Sequence, residues 1–381
     1  MINPSILAQV FEQRFGSGYK VFFAPGRINL IGEHTDYNGG YVFPGAIEQG
    51  ITAVIRPNGT HTVNLYAKDL GIGCTFNIGD KELQGDSSFR YVSGVIRELD
   101  KRNVQLDGFD AVYGGDVPLG AGMSSSAALE CCFAYALCNI FPGMMLNPIE
   151  LARVGQAAEH NYVGVKCGIM DQFASIFGRA GFLVRYDCCE DKYEYFPWNP
   201  DGYRLVLVNS CVKHTLVGSP YNDRRASCER VAKAAKVSSL RECTWEKLEA
   251  IRHKLADEDY RRARYVLGET DRVLAVSAAL ERGDYEAVGR QMYLTHEGLR
   301  DDYEVSCEEL DFLVGEAKRL GVTGSRLMGG GFGGCTINLV RDELYNHFID
   351  EVQTTYSKRF NRSCQPIPVV ISDGARSIDI Q

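Results

Sequence analysis

A loop too rich in glycine for regular structure lies between a predicted strand and a predicted helix. Residues 108–113 favour a short strand, four of the nine residues 114–122 are glycine, and residues 124–140 carry small and apolar side chains at helical spacing. A helix that begins directly after a glycine loop points free backbone N–H groups and its positive dipole end into that loop. The segment therefore predicts a site for an anionic group such as phosphate.

Three consecutive serines open that helix. The hydroxyls of Ser124, Ser125 and Ser126 add hydrogen-bond donors, and one of them can ligate Mg²⁺. A tight turn with a serine cap needs only one of them, so we favour phosphate binding over a plain turn. The spacing from Gly115 to Gly120 matches a Walker A loop, but alanine follows where that motif requires lysine, which argues against a P-loop fold.

The segment 25–40, PGRINLIGEHTDYNGG, places Glu33, His34 and Asp36 in a loop flanked by glycines. A carboxylate can accept hydrogen bonds from two hydroxyls at once, which suits recognition of a polyol. A metal site is the competing functional interpretation, although H-E-x-x-H is absent and no second histidine lies nearby. A solvated polar turn is the non-functional alternative, and the spacing alone leaves these interpretations open.

A third glycine-rich stretch, GGGFGG at residues 329–334, satisfies G-x-G-x-x-G formally. A dinucleotide-binding unit would continue into a helix, whereas residues 335–340 favour a strand. The context therefore argues against an oxidoreductase. A loop that lets the backbone pack closely against a ligand or against another loop remains open.

Two carboxylates lie on predicted helices that adjoin a glycine turn. Asn147 and Glu150 mark the start of a helix that should reach about residue 162 and carry Glu159. Residues 170–177 predict a second short helix with Asp171 in its first turn. In such a pair, one carboxylate can bind Mg²⁺ while the other faces a nucleophile. Taken alone, Asp171 is better explained as an ordinary carboxylate at the start of a helix, which is common.

Length and composition limit the remaining possibilities. A chain of 381 residues exceeds what one hydrophobic core usually holds, and its composition shifts near residues 190–200, so we expect two domains, 1–190 and 191–381. A net charge of −8 argues against general binding to nucleic acid or anionic membranes. No apolar run approaches the length of a membrane span, and 13 scattered cysteines without C-x-x-C spacing favour reduced thiols in the cytoplasm.

Together, these stretches resemble the signature motifs of the GHMP small-molecule kinases, in the same order along the chain. Residues 26–40 resemble the sugar-binding signature of the sugar kinases in that family, and residues 118–128 resemble the family's phosphate loop. Residues 329–335 resemble its third motif, and residues 167–173 resemble the catalytic segment of the sugar kinases. The likeness implies an α/β (α+β) fold of two domains with the active site between them. The N-terminal domain would resemble the second domain of ribosomal protein S5, and the C-terminal one would be ferredoxin-like with added helices.

The resemblance also implies a reaction and its partners. The expected activity is transfer of the ATP γ-phosphate, with Mg²⁺, to the anomeric hydroxyl of galactose, giving galactose 1-phosphate. A kinase for N-acetylgalactosamine or another sugar is the nearest alternative, and a non-catalytic galactose sensor is the more distant one. A mevalonate-type kinase is disfavoured because the acidic loop suits a polyol. The expected partners are galactose and ATP, with no nucleic acid or membrane, and the expected state is a monomer or weak dimer.

The resemblance assigns roles position by position. Asp171 would be the base, and Arg27 would stabilise negative charge that develops beside the attacking hydroxyl. Tyr91 and Phe89 are candidates for contact with adenine. The sugar would be bound by Glu33, His34, Thr35, Asp36, Gly168 and Tyr221. The ATP phosphates would be wrapped by Gly120, Ala121, Gly122, Met123, Ser124, Ser125 and Ser126. Ser126 and Glu159 would ligate Mg²⁺.

Overall fold

Alternating strands and helices make up the first half of the computed structural model, which describes residues 3–80, 86–118, 120–141, 143, 146–212 and 221–379. The elements of this half are α1 (Pro4–Phe15), β1 (Lys20–Asn29), β2 (Tyr41–Val42), β3 (Pro44–Pro57), β4 (Thr62–Ala67), β5 (Ile72–Asn77), α2 (Arg90–Asp100), β6 (Phe109–Gly115), α3 (Ser125–Ile140), α4 (Pro148–Ala158), α5 (Met170–Phe177), β7 (Phe182–Asp187) and β8 (Lys192–Pro197).

The second half is dominated by long helices. Its elements are β9 (Tyr203–Asn209), α6 (Tyr221–Ala235), α7 (Trp245–Ile251), α8 (Asp257–Glu281), α9 (Tyr285–Asp301), α10 (Glu308–Arg319), β10 (Gly324–Leu327), β11 (Cys335–Arg341), α11 (Asp342–Phe360), β12 (Gln365–Pro368) and β13 (Arg376–Ile378). The mixture of sheets and helices in both halves confirms the predicted fold class.

A six-stranded sheet in the order β13-β1-β3-β6-β4-β5 forms the base of the first half. Its neighbouring strands are antiparallel except β4 and β6, which are parallel. Successive side chains of β1 alternate between faces, so Val21 packs with α1 whereas Phe22 packs with α2, α3 and α4. The sheet is therefore covered by helices on both faces.

A four-stranded antiparallel sheet, β10-β11-β9-β12, forms the base of the second half. One face of β9 packs against α8 and α9 through Leu205 and Leu207, and the other packs against α10 and α11 through Val206 and Val208. A smaller sheet, β2-β7-β8, lies beside these two.

Apolar residues of both halves share one core. Ile28, Leu30 and Phe43 from the first half belong to the same buried cluster as Leu207 and Val273 from the second. The last strand, β13, also returns to the first sheet and pairs with β1. The predicted domain boundary near residue 190 stays a prediction. The last strand of the chain lies after this boundary in sequence but belongs to the sheet of the first half.

Local signals predicted several elements well. Helix α5 occupies the predicted residues, and the Asn147 side chain caps α4 by accepting a 3.0 Å hydrogen bond from the Glu150 N–H. Helix α4 is shorter than the predicted helix, which was expected to reach about residue 162. It ends at Ala158, and the chain continues as a π-helical turn, Glu159–Val163. That turn carries Glu159 towards α5.

Two further properties concern the whole chain. All thirteen cysteines lie within the described residues and none forms a disulfide, which agrees with the expectation of reduced thiols. Over the residues that the structure describes, no helix has the length and apolarity required to cross a membrane.

Candidate active site

The three glycine-rich stretches meet at one cavity of about 400 Å³ between the two halves. Its lining includes Arg27, Glu33, His34, Asp36, Tyr91, Gly120, Ala121, Gly122, Met123, Ser124, Ser125, Ser126, Glu159, Cys167, Gly168, Asp171, Tyr221 and Gly329. The predicted site residues therefore line one cavity, with the exceptions of Thr35 and Phe89.

Thr35 supports the loop around residues 32–41 instead of facing the cavity. Its side chain is buried, and its hydroxyl oxygen lies 2.9 Å from the carbonyl oxygen of Gly32 and 2.6 Å from that of Tyr41, so its one hydrogen is donated within the loop. Thr35 is not among the residues that line the cavity, since a threonine in a polar loop can face either way. Its expected contact with the sugar stays a prediction.

Glu33 reaches the cavity while it is held by a buried ion pair. Its Oε1 atom accepts hydrogen bonds from Arg326 Nη1 at 2.9 Å and from the Gly329 N–H at 2.9 Å. Arg326 is fully buried in β10 and also donates to the carbonyl oxygens of Leu30 and Asn29. Sequence analysis missed Arg326, because one arginine in a short strand carries no local signal of its partner.

A second buried acid, Glu269 of α8, holds the backbone of the same loop. It accepts hydrogen bonds from the Gly32 N–H at 2.8 Å and, more weakly, from the Glu33 N–H at 3.3 Å. Its other oxygen accepts from Arg272 at 2.7 Å and from Thr295 at 2.8 Å. The loop from the first half is therefore positioned by side chains of the second, and Glu269 was also missed.

His34 lies in an aromatic cluster at the cavity wall. Its Nδ1 is 2.8 Å from the Tyr37 hydroxyl, which is in turn 2.7 Å from the Tyr303 hydroxyl. Burial and the nearby Arg224 guanidinium lower the pKa of His34 to about 3, so the imidazole is neutral near pH 7. Its Nε2 atom is buried beside the backbone of Gly330.

Asp36 shares the cavity with Asp171. Burial and the charge of Asp171 raise the pKa of Asp36 to about 6, although backbone N–H groups of Tyr37 and Met170 donate to its two oxygens. Gly168 lies directly against this carboxylate, and a methyl group at that position would overlap it. The glycine is therefore required by close approach to Asp36.

Asp171 is held from two sides at the start of α5. Its Oδ1 accepts a 2.8 Å hydrogen bond from Arg27 Nε, and its Oδ2 accepts one from the Ser124 hydroxyl. About a third of the carboxylate remains exposed to the cavity, whereas Arg27 is buried. Arg27 also donates to the carbonyl oxygen of Gly122, so one guanidinium joins the carboxylate to the glycine loop.

The glycine loop before α3 is shaped by left-handed backbone. Gly120 and Gly122 have φ values of +74° and +73°, and Ser124, the N-cap of α3, has a φ of +59°. Gly329 of the third motif packs against the carbonyl of Gly122, and Gly334 packs against Ala121. The third motif thus packs against the glycine loop before α3. Packing against another loop was one of the alternatives that the sequence left open. Leu119, inside the same loop, lies outside the described residues.

The two predicted metal-binding residues are neighbours. The Ser126 hydroxyl donates to Glu159 Oε1 at 3.3 Å, and the Glu159 Oε2 atom accepts from Cys167 at 3.4 Å. Burial and the charge of Asp171 raise the pKa of Glu159 to about 7. No group of three or more His, Cys, Asp or Glu side chains suited to a metal ion occurs in the described part of the chain.

A second, more apolar cavity of about 220 Å³ adjoins the phosphate loop and shares Tyr91, Ser125 and Ser126 with the first. The Ser88 and Tyr113 side chains line it, and the Tyr113 hydroxyl oxygen is buried without a hydrogen-bond partner. Phe89 does not face either cavity. It is buried in the core with α2 and α3, which favours Tyr91 over Phe89 as the adenine candidate.

Comparison with protein families matches three parts of the chain. The galactokinase galactose-binding signature matches residues 9–57, the N-terminal domain of the GHMP kinases matches residues 90–179, and the C-terminal domain matches residues 276–358. These matches cover the acidic loop, the phosphate loop with Asp171, and the third glycine motif.

Curated relatives and solved structures match nearly the whole chain. A galactokinase of Thermotoga neapolitana is 40% identical over 93% of this chain and 99% of its own length, and one of Roseiflexus sp. is 39% identical over 98% and 97%. The structure of Lactococcus lactis galactokinase complexed with galactose superimposes with a TM-score of 0.93 at 34% identity, covering 98% of this chain and 99% of that one. Mevalonate kinase of Methanococcus jannaschii shares the fold, with a TM-score of 0.65 at 18% identity. The chain belongs to the galactokinase family of the GHMP kinases.

Proposed function

We propose that this protein transfers the γ-phosphoryl group of ATP to the anomeric hydroxyl of galactose, forming galactose 1-phosphate and ADP. The observation that carries the proposal is the single cavity lined by Asp171, the phosphate loop and the acidic loop around Glu33 and Asp36. The name and bound galactose of the Lactococcus lactis relative support the choice of sugar. The chemistry requires mainly positioning and neutralisation of charge, both of which such a cavity can supply.

Asp171 is our candidate base. In the proposed step the anomeric oxygen forms a bond to the γ-phosphorus, the bond to the ADP oxygen breaks, and the hydroxyl proton passes to the Asp171 carboxylate. Arg27 donates to that carboxylate and lies in the cavity wall, where its charge would stabilise the negative charge that develops on the oxygens. The Ser124 hydroxyl, expected to contact ATP, donates to Asp171 and would orient it.

The sugar would lie between Asp36, His34 and Tyr221. The Asp36 carboxylate can accept two hydroxyls, and neutral His34 presents its buried Nε2 as a further partner. Glu33 would contribute its remaining oxygen, since Arg326 and Gly329 donate to Oε1. Gly168 would keep the space beside Asp36 free of a side chain.

The nucleotide would extend across both cavities. The phosphates would lie in the loop before α3, and the base would enter the second cavity beside Tyr91. The unpartnered Tyr113 hydroxyl is suited to the polar edge of adenine. A largely apolar cavity with a few polar atoms is typical of sites for flat heterocycles.

Ser126 and Glu159 would hold Mg²⁺ together with the phosphates. A hydroxyl and a carboxylate fit this ion, which takes oxygen ligands and is usually bound by one or two protein groups plus substrate phosphates. No Lys, Arg or His in the described residues forms an ion pair with Glu159, so a cation would find an uncompensated carboxylate there. When bound, Mg²⁺ neutralises charge on the transferred phosphoryl group.

A kinase for N-acetylgalactosamine or another sugar is the alternative. A sugar panel with ATP and Mg²⁺, followed by release of ADP, distinguishes these possibilities. We expect activity with galactose and little with N-acetylgalactosamine; activity only with the amino sugar would refute our substrate. A complete lack of sugar-dependent ADP release would instead favour a non-catalytic sensor.

Asp171→Asn tests the base in the same assay. The variant should fold and bind galactose and ATP, yet lose turnover by roughly 10²–10⁴, the usual scale for loss of a general base. Near-normal turnover would remove Asp171 from that role.

The thirteen cysteines form no disulfide, which is typical of a reducing compartment, and we propose the cytoplasm. We also propose a monomer or weak dimer, because the large apolar side chains exposed in the described residues come from separate elements, for example Ile6, Trp245 and Leu294. Sedimentation of the purified chain at several concentrations would test this state.

A further inference from the structure

A buried acid lies one helical turn beyond Ser126 and has no role in the proposed mechanism. Glu130 is four residues after Ser126 on α3, so the two side chains lie on the same face of the helix. The side chain of Glu130 is fully buried, as is that of Gln172 on α5. A buried acid is costly unless it is hydrogen-bonded, so its presence beneath the phosphate loop requires an explanation.

The Gln172 amide joins this acid to Glu159. Its Nε2 donates to Glu130 Oε2 at 3.0 Å and to Glu159 Oε2 at 3.0 Å. The other oxygen of Glu159 accepts from the Ser126 hydroxyl. One end of the Glu159 carboxylate is therefore anchored on Gln172, and this anchor turns the other end towards Ser126 and the cavity.

The cluster has few other polar contacts. No Lys, Arg or His among the described residues pairs with Glu130, and its Oε1 atom has no hydrogen-bond partner. The neighbouring helix α4 leaves room for the cluster, since a methyl group at Gly155 would come within 2.9 Å of Gln172 and 3.2 Å of Glu130. A well-packed apolar side chain would cost less than this acid, so its presence here points to a role other than stability.

We propose that Glu130 and Gln172 are positioning residues for the metal-binding carboxylate: Glu130 holds the Gln172 amide, and Gln172 holds Glu159 in the orientation that meets Ser126. This inference rests on the proposed function, because that function requires a cation at Glu159. Residues that orient a metal ligand typically alter metal affinity by about 10- to 100-fold when they are replaced. The effect should therefore appear in metal binding before it appears in sugar binding.

Binding of Mn²⁺ in the presence of ADP, followed by electron paramagnetic resonance, tests the inference. Glu130→Met removes the acceptor at similar volume and should weaken Mn²⁺ binding by roughly 10- to 100-fold, whereas galactose affinity by calorimetry should change by less than about twofold. Glu130→Gln keeps an acceptor oxygen for Gln172 and should remain within about threefold of the wild type. Glu150→Met, which removes a partly exposed acid of α4, is the control and should leave Mn²⁺ affinity unchanged.

Two results would overturn the inference. One is an unchanged Mn²⁺ affinity in Glu130→Met, and the other is an equal loss of Mn²⁺ and galactose binding, which would indicate only a disturbed fold. If Glu130→Met does not fold, Gln172→Met removes the amide instead and should weaken Mn²⁺ binding to the same extent; unchanged affinity there contradicts the proposal. If the wild type turns over galactose while Glu130→Met and Gln172→Met keep the wild-type Mn²⁺ affinity, the proposed function stands and the positioning role of Glu130 and Gln172 is rejected.

Discussion

At the scale of single residues, the site depends on how closely acidic groups approach one another. Asp36 and Asp171 face the same cavity, and burial together with the Asp171 charge raises the pKa of Asp36 to about 6. His34, in contrast, has its pKa lowered to about 3 by burial and by Arg224. Of these two sugar-site candidates, Asp36 is therefore the one that titrates in the range in which the protein would work.

The first prediction concerns the pH dependence of galactose binding without nucleotide or metal. Sugar hydroxyls donate to the ionised carboxylate, so binding favours deprotonated Asp36 and should strengthen as the pH rises through about 6. Affinity should be roughly tenfold weaker one pH unit below this value than at pH 8. Calorimetric titration between pH 5 and pH 8 measures it.

Asp36→Asn is the control for that titration. The variant lacks the ionisable group, so its affinity should be low and nearly independent of pH over the same range. A profile in Asp36→Asn that keeps the wild-type slope would show that another group governs binding.

The second prediction concerns Gly168. The added methyl group in Gly168→Ala would overlap the Asp36 carboxylate and displace it, so the KM for galactose should rise by tenfold or more, on the order of 1.4 kcal/mol of lost binding. The KM for ATP should change little. Gly315→Ala is the matched control, because Gly315 lies in α10 with open space around it and should tolerate alanine. An unchanged KM for galactose in Gly168→Ala would contradict the proposed position of the sugar.

At the scale of elements, the acidic loop is held in place by a helix and a strand of the other half. Glu269 of α8 accepts from the backbone of Gly32, and Arg326 of β10 donates to Glu33. A loop that is preorganised in this way loses little conformational freedom when sugar binds. The loop and these two elements therefore act as one binding unit.

The third prediction concerns Glu269. Glu269→Ala leaves the Gly32 N–H and the Arg272 guanidinium without their acceptor, which should lower the free energy of unfolding by about 3–5 kcal/mol. Glu269→Gln keeps one acceptor and should lose less stability while it weakens galactose binding. Urea unfolding measures the first effect and calorimetry the second. Glu281→Ala, an exposed acid of the same helix, should change stability by less than about 0.5 kcal/mol.

The elements nearest the site could largely be predicted from local signals. The glycine loop, α3 and α5 follow from glycine content, helical spacing and caps, all of which are encoded within a few residues. Glu269 and Arg326 could not be predicted, because their partners in the loop are more than 230 residues away and each resembles an ordinary charged residue in its own element. The direction of the Thr35 and Ser124 hydroxyls was equally undetermined, because a hydroxyl can bond to its own loop or face a cavity.

At the scale of the whole molecule, the two halves depend on one another. Ile28 and Leu30 pack in the same cluster as Leu207 and Val273, and β13 completes the sheet of the first half. Removing the second half would expose this apolar surface and leave β1 as an unpaired edge.

The fourth prediction follows from that dependence. A fragment of residues 1–190 should lack a cooperative urea transition and bind no galactose, whereas the full chain should unfold cooperatively and become more stable when galactose is added. Urea unfolding followed by near-ultraviolet circular dichroism, with and without galactose, measures the cooperativity and the stabilisation by the sugar. A fragment that unfolds cooperatively and binds the sugar would show that the shared core and the contacts of Glu269 and Arg326 are dispensable.

The position of the phosphate on the product tests the account most directly. Incubation of the purified chain with galactose, ATP and Mg²⁺, followed by phosphorus NMR, should give a new phosphate resonance that couples to the anomeric proton of galactose. The Asp171→Asn protein should form this product far more slowly under the same conditions. A phosphate attached to any other hydroxyl, or hydrolysis of ATP without a sugar phosphate, would contradict in-line transfer in the cavity between the two halves.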